Sequence, residues 1–241
     1  MSSHPSPFAR AVPLTLTLQP LHTGTSLRDQ AYTKLRQAIA EADIYGSRES
    51  IRLDERNLTE ALGVSRTPIR EAMTLLEQEG FVRSVPRRGV FIQRKTKREI
   101  VEMIQMWAAL ESMAARLATR HATDDEIAAL RRMFDSFHGE RRTPATQIDE
   151  YSEANIVFHQ ALVRLSKSQA IAHTIHNVFA HVRAIRKATI SQSDRASRSI
   201  AEHMRIIEAL EARDTESAER LVREHSLELA AFVDASCDFL D

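Results

Sequence analysis

Three histidines in the second half of the chain sit on apolar, helically spaced faces. His159 lies among Tyr151, Asn155, Phe158 and Leu162, and Asn155 precedes it by one helical turn, so the two side chains share a face. His203 falls between Ile200 and Ile207 on a predicted helix of about 195–212, and His225 between Leu221 and Leu229 on one of about 215–236. If these helices turn back on each other near Arg213-Asp214, both histidines stand roughly 15 Å from the turn and level with each other, at 1.5 Å rise per residue. Neutral imidazole suits zinc, nickel and related divalent ions, and three of them with an oxygen donor leave a position for a further ligand. The candidate metal set is therefore Asn155, His159, His203 and His225, with a divalent transition metal, Zn or Ni, as cofactor. Ordinary core histidines are one competing reading. A hydrolytic metal centre is another, and it lacks a general base, because Glu202 and Glu224 precede their histidines and should point away from them. His173, His176 and His181 have no equally consistent faces. Arg183 and Arg186 could meet a small organic acid through paired guanidinium hydrogen bonds, against the alternative that both are solvated.

A second group of residues is basic. Arg66 and Arg70 are four apart near the start of a short predicted helix and project from one face of it, with Thr67 between them. An arginine there can donate two hydrogen bonds to guanine O6 and N7 in a major groove. Arg87, Arg88 and Gly89 form the tip of a predicted hairpin, where a glycine lets backbone approach a neighbouring groove closely. Arg56, at the start of the preceding helix, is placed for a phosphate, and Ser65 caps the arginine-bearing helix. The competing reading is that these arginines are solvated surface.

The elements that must position these groups can be read from periodicity. Leu27, Ala31, Leu35, Ala38, Ile39 and Ala42 recur at helical spacing, with Gly46 beyond their end. A short Ile51–Leu53 segment precedes a helix over Glu55–Leu62 that stops at Gly63. Ser65 then opens a helix running to about Glu79, with Pro68 in its first turn, ended by Gly80. Phe81–Val85 and Val90–Gln93 flank Pro86-Arg87-Arg88-Gly89 as a hairpin. This order is that of a winged helix-turn-helix. From Ile100 onward the pattern is helical, with breaks near Gly139–Pro144 and Ser191–Ser193, which predicts an antiparallel bundle. The fold class is mainly α: an N-terminal winged helix-turn-helix plus a C-terminal all-α antiparallel helical bundle. The boundaries are a flexible tail over 1–25, the winged unit over 26–94, a linker over 95–98 and the effector-binding and dimerisation domain over 99–241.

Charge follows the same division. Residues 26–98 carry 15 Lys/Arg against 10 Asp/Glu, a balance of +5, and residues 99–241 carry 17 against 23, a balance of −6, within a chain of zero net charge. A basic unit on an acidic one fits a module that meets phosphates tethered to one that does not. A structural nucleoid protein would be basic throughout. The single Cys237 excludes an internal disulfide and suits a reducing compartment, so the expected location is cytoplasmic, with no membrane partner.

At Leu62-Gly63-Val64-Ser65-Arg66-Thr67-Pro68-Ile69-Arg70-Glu71-Ala72, supported by Leu75, Leu76, Glu79, Gly80 and Phe81, the chain resembles the DNA-binding domain of the GntR family over about 26–94. The resemblance implies that Arg66 and Arg70 read bases, that Arg56 assists, and that Gly89 lies at a wing tip in the minor groove. Over about 99–237 the chain resembles the family's FadR-like ligand-binding domain, through Asn155-Ile156-Val157-Phe158-His159, Glu202-His203 and Glu224-His225. It departs from that pattern at Asn155, where many members carry aspartate, and at Trp107, before Leu110-Glu111, where members often carry arginine. The implied function is a repressor: a homodimer on an inverted-repeat operator of double-stranded DNA, released by a small carboxylate effector held beside the metal.

Overall fold

The structure, a computed structural model, describes residues 11–13, 26–42, 44–45, 49–134, 144–190 and 195–237. Gly46, Gly139 and Ser191–Ser193 lie outside the described residues. The chain divides into two compact units, Met1–Lys95 and Thr96–Asp241.

In the first unit, β1 (Ala11–Pro13) precedes α1 (Leu27–Glu41), β2 (Ser50–Leu53), α2 (Glu55–Leu62), α3 (Arg66–Gln78), β3 (Val82–Val85) and β4 (Gly89–Ile92). The four strands form one sheet in the order β1-β2-β4-β3. Strand β1 lies in what the sequence reads as a tail. It pairs parallel to β2, Ala11 opposite Ser50, and a three-residue strand offers no alternation long enough to detect. Asp54 caps α2 by accepting from the amides of Arg56 and Asn57, and Gly63 ends it at φ 68°. Ser65 occupies the cap position of α3 but makes no side-chain cap hydrogen bond. Leu35, Ile39, Leu58, Leu62, Ile69, Leu76 and Phe81 fill the core beneath these helices. Burying such a side chain contributes about 1.5–3 kcal/mol, which ranks this core above any of the unit's surface ion pairs.

The second unit is helical: α4 (Lys97–His121), α5 (Asp124–Arg132), α6 (Pro144–Leu165), α7 (Gln169–Thr189), α8 (Arg195–Glu211) and α9 (Thr215–Ser236). Helix α4 begins inside the segment expected to be linker. Its start is a capping box in which Thr96 Oγ1 accepts from the Glu99 amide and Glu99 accepts from the Thr96 amide. A charged, aperiodic stretch therefore reads as linker until its cap is recognised. A second capping box, Thr123 with Glu126, starts α5. Helices α4, α5, α6, α8 and α9 enclose a core that includes Ala118, Phe134, Phe158, Leu162, Ile206, Ile207, Leu210 and Val222. No helix among the described residues is long and apolar enough to cross a membrane.

Candidate functional site

The basic group of the first unit occupies α2, α3 and the hairpin. Arg56, Ser65, Arg66, Thr67, Arg70, Arg87 and Arg88 are all exposed. Arg56 Nε lies 2.9 Å from Glu60, one turn away on α2. Arg70 Nε lies 2.9 Å from Glu55 and Arg66 Nε 3.9 Å from the same carboxylate. Glu55 is a residue the sequence reading passes over. It sits at the first position of α2, and only the crossing of α2 and α3 brings it to both arginines. The hairpin is tied to α3 by Glu77, whose carboxylate accepts from the Ser84 amide (2.6 Å) and hydroxyl (2.9 Å). The cations of α3 and of the hairpin tip thus belong to one rigid surface.

At that tip Arg88 N donates to Val85 O at 3.0 Å, with Pro86 second in the turn and Arg87 third at φ 63°. Proline second and a positive φ third describe a type II turn, and the strain of a non-glycine there is localised to Arg87. Gly89 has φ 110°, and a Cβ on it would meet Arg52 Nε at 2.9 Å. Gly89 is required first by the protein itself: the Arg52 guanidinium from β2 packs against it. Gly89→Ala should therefore distort the tip, displace Arg52 and cost about 1–3 kcal/mol through the positive φ alone. Urea unfolding should show the lower midpoint, and an unchanged midpoint would mean that the tip adapts freely.

In the second unit the three histidines converge from three helices. His159 stands on α6, His203 on α8 and His225 on α9, all buried, with one ligating nitrogen of each within 4.8 Å of the others. The Nδ1 atom of every ring has its own partner. His159 Nδ1 lies 2.5 Å from Glu111 Oε1, His225 Nδ1 2.6 Å from Glu202 Oε2, and His203 Nδ1 3.0 Å from the Tyr151 hydroxyl, which in turn donates to Ser199 Oγ at 2.7 Å. Carboxylates and a phenol oxygen already donating its proton can only accept, so this network assigns the proton of each ring to Nδ1. Three Nε2 lone pairs then face one region, with His203 Nε2 and His159 Nε2 3.4 Å apart. Two nitrogens on a tetrahedral zinc at 2.0–2.1 Å are about 3.3 Å apart. Outer partners that fix the tautomer are the usual support of a metal-binding imidazole.

Asn155, one turn before His159 on α6, is the candidate oxygen donor. It is buried, and its Oδ1 has no hydrogen-bond partner. A buried carbonyl oxygen without a partner costs about 1–3 kcal/mol, so an oxygen so placed fits a cation that accepts its lone pair. The donor set of three imidazoles and one amide oxygen therefore fits a divalent transition metal. Burial, with Arg186 nearby, lowers the His159 pKa to about 4, and burial pushes His203 and His225 down as well, which keeps all three rings neutral. Glu111 is fully buried. Burial opposes its ionisation, but His159, Arg186 and the Trp107 indole hold it below the usual carboxylate range.

Glu111 is the second residue that sequence reasoning left without a role. It takes Trp107 Nε1–H at 2.7 Å, Ser226 Oγ–H at 3.0 Å and the His159 ring at 2.5 Å. Trp107 is therefore a hydrogen-bond donor to the residue that orients His159. Glu202 corrects an expectation. It points away from His203, its neighbour on α8, yet orients His225 on α9, a pairing that only the antiparallel packing of the two helices creates. Glu224 is exposed and pairs with Arg220.

Arg186 is buried and lies with His225, Asn155 and Glu202 along a small pocket of about 20 Å³, partly open to solvent. Its Nη1 is 3.4 Å from His225 Nε2, its Nε has no partner, and burial lowers its pKa to about 10. Arg183 does not line the pocket and approaches Glu153 at 3.5 Å. Of the histidines set aside, His181 is buried and His173 exposed, while the His176 side chain lies outside the description.

Comparison with known proteins joins the two halves. Residues 27–92 match the family described as bacterial regulatory proteins, gntR family, and residues 102–228, more than half of the chain, match the FCD domain. The chain belongs to the GntR family. The Nta operon transcriptional regulator of Aminobacter aminovorans is 32% identical over 142 residues, covering 59% of this chain and 66% of that protein. The uncharacterized HTH-type transcriptional regulator YdhC of Bacillus subtilis is 28% identical over 149 residues, covering 62% and 65%. The matched stretch thus spans just under two thirds of each relative. Among solved structures, E. coli McbR/YncC superposes with a TM-score of 0.70 at 21% identity, covering 89% of this chain and 100% of that one. A putative GntR regulator from Rhodococcus sp. RHA1 gives 0.68 at 24%, covering 88% and 99%. These two establish the shared fold. The family and these relatives are transcriptional regulators and not enzymes, which removes the hydrolytic reading of this GntR-family chain's histidine cluster.

Proposed function

We propose that the chain is a metabolite-responsive, sequence-specific repressor that binds an inverted-repeat operator as a homodimer and leaves it when a small organic acid enters the pocket beside a bound Zn or Ni ion. The observation that carries this reading is the exposed row Arg66, Thr67 and Arg70 on α3, locked by the Glu77–Ser84 bonds to a tip bearing Arg87 and Arg88. Arg66 and Arg70 read base edges from the front of α3. Arg56 and Ser65 meet the backbone beside them, and Arg87, Arg88 and Gly89 reach the adjacent groove. Two-fold symmetry of the protein is mirrored in the operator. The repressor assignment draws on the HTH-type transcriptional repressor RspR of Escherichia coli, 27% identical over 135 residues.

For the sensing half, His159, His203, His225 and Asn155 hold the metal, which when bound supplies a Lewis-acidic position for a carboxylate oxygen. Arg186 meets the second oxygen of that carboxylate. Arg183, aligned with it one turn earlier on α7, contributes positive potential. Two positive charges on the metal and one on Arg186 stand against Glu111 and Glu202, leaving one uncompensated charge at that position for a carboxylate group to neutralise. An effector that binds the DNA-incompetent state better shifts the population toward it and lowers operator affinity by that difference.

Selection from a random duplex pool with the full chain tests the reading. The expected product is an inverted repeat with guanines at symmetric positions, bound with steep salt dependence through counterion release. Recovery of no preferred sequence would overturn it.

A further inference from the structure

The pocket holds more positive charge than one carboxylate uses. Arg195, the first residue of α8, lines it together with Arg186, Arg198, Glu202 and Glu228. Its Nε is buried and has no hydrogen-bond partner, as is also true of Arg186 Nε. Among the described residues Arg195 forms no ion pair; its guanidinium carbon instead lies 4.2 Å above the centre of the Phe232 ring. A guanidinium over an aromatic face keeps N–H donors available to a further ligand.

Glu202 and Glu228 offset part of the Arg195 charge from a distance, and neither forms an ion pair with it. Glu202 is bonded to His225 Nδ1, and Glu228 is hydrogen-bonded to Glu202 and also offsets Arg198. Arg186 and Arg195 repel each other, and burial together with that repulsion lowers the pKa of Arg186. Two arginines, each with a buried donor lacking a partner, therefore line one pocket. Polar groups left buried without partners are costly, and a guanidinium satisfies its donors best on a planar oxyanion.

We infer that the effector carries two anionic groups, one taken at the histidine cluster and Arg186, the second taken by Arg195. This rests on the proposed carboxylate reading of the pocket and narrows it to dicarboxylates and phosphorylated carboxylates. The residue opening α8 is then a specificity determinant: it separates a dianion from the monoanion of the same carbon skeleton. Arg183 has no part in this selection.

The test uses the full chain loaded with Zn²⁺ and isothermal titration with butyrate, succinate and 3-phosphoglycerate. Succinate or 3-phosphoglycerate should bind at least about tenfold more tightly than butyrate, the order expected for one charge-assisted bidentate contact. Whichever of the two binds better identifies the second group as carboxylate or phosphate. Arg195→Gln should abolish that preference and leave butyrate binding unchanged, while Arg195→Lys keeps part of it. The unliganded Zn²⁺-induced rise in Tm should be the same in all three proteins, which shows that the variants fold and hold metal. Butyrate binding as tightly as the dianions, or a preference that survives in Arg195→Gln, overturns the inference and leaves the carboxylate reading standing. Failure of all three acids to bind overturns both.

Discussion

Arg66→Ala is expected to lose specific operator binding while the fold survives. In the free protein Arg66 is exposed, contributes nothing to the core, and has a carboxylate only at 3.9 Å, so its truncation should leave the unfolding midpoint within a degree or so of the parent. An arginine bidentate to guanine discriminates that base by about 1–3 kcal/mol, so affinity for the selected duplex should fall about 10- to 100-fold, squared in effect where both half-sites lose it. Arg56→Ala provides the contrast. A phosphate contact carries no sequence information, so its loss should weaken selected and random duplexes alike and reduce the salt slope by about 1. Gel-shift titrations of both variants against both duplexes distinguish the roles. If Arg66→Ala kept the parent's ratio between selected and random DNA, α3 would not be the reading element.

The different roles proposed for these two arginines rest on local order: which helix, which turn of it, which face. The same locality explains why α2, α8 and α9 were anticipated nearly to the residue. Gly63 ends α2 at a positive φ, and Asp214, bonded through its side chain to the Ser217 amide, starts α9, and both signals lie within four residues of the boundary they set. The histidine cluster was legible for a related reason, since a helical hairpin with a known turn fixes depth along both arms; His203 and His225 indeed lie with ring centroids 4.6 Å apart. What escaped was whatever depends on contacts between distant segments. Glu55 meets Arg70 across fifteen residues, Glu111 meets His159 across forty-eight, and Glu202 meets His225 across twenty-three. No periodicity records which residue of another helix a carboxylate will face. Strand β1 escaped for the same reason: its pairing with β2 is a property of the partner.

Those long-range carboxylates set the second large effect, on metal binding. Adding Zn²⁺ to about one hundred times its Kd should stabilise the folded chain by about 2.7 kcal/mol, because an ion that binds only the folded state adds its binding free energy to folding. For a unit of this size that is a rise in Tm of roughly 5–10 °C, reversed by chelation. His203→Ala should remove it, since His203 is completely buried and supplies one of three Nε2 atoms. Because the bare variant also loses a core ring and its bond to Tyr151, the diagnostic is the zinc-induced shift measured against its own metal-free melt. Glu111→Gln is the sharper probe. The amide is nearly isosteric, but it weakens the hydrogen bond that sets the His159 tautomer, and changes to such orienting partners typically cost 10- to 100-fold in metal affinity. Asn155→Asp should act in the opposite direction. An anionic oxygen in place of the partnerless Oδ1 strengthens the donor set, but without metal it places a charge in a buried position, so the variant should melt below the parent when metal-free and shift further when zinc is added. A zinc-dependent shift that is equal in the parent, His203→Ala and Asn155→Asp would locate the ion elsewhere, and the histidines would then be a polar core held by Glu111, Tyr151 and Glu202.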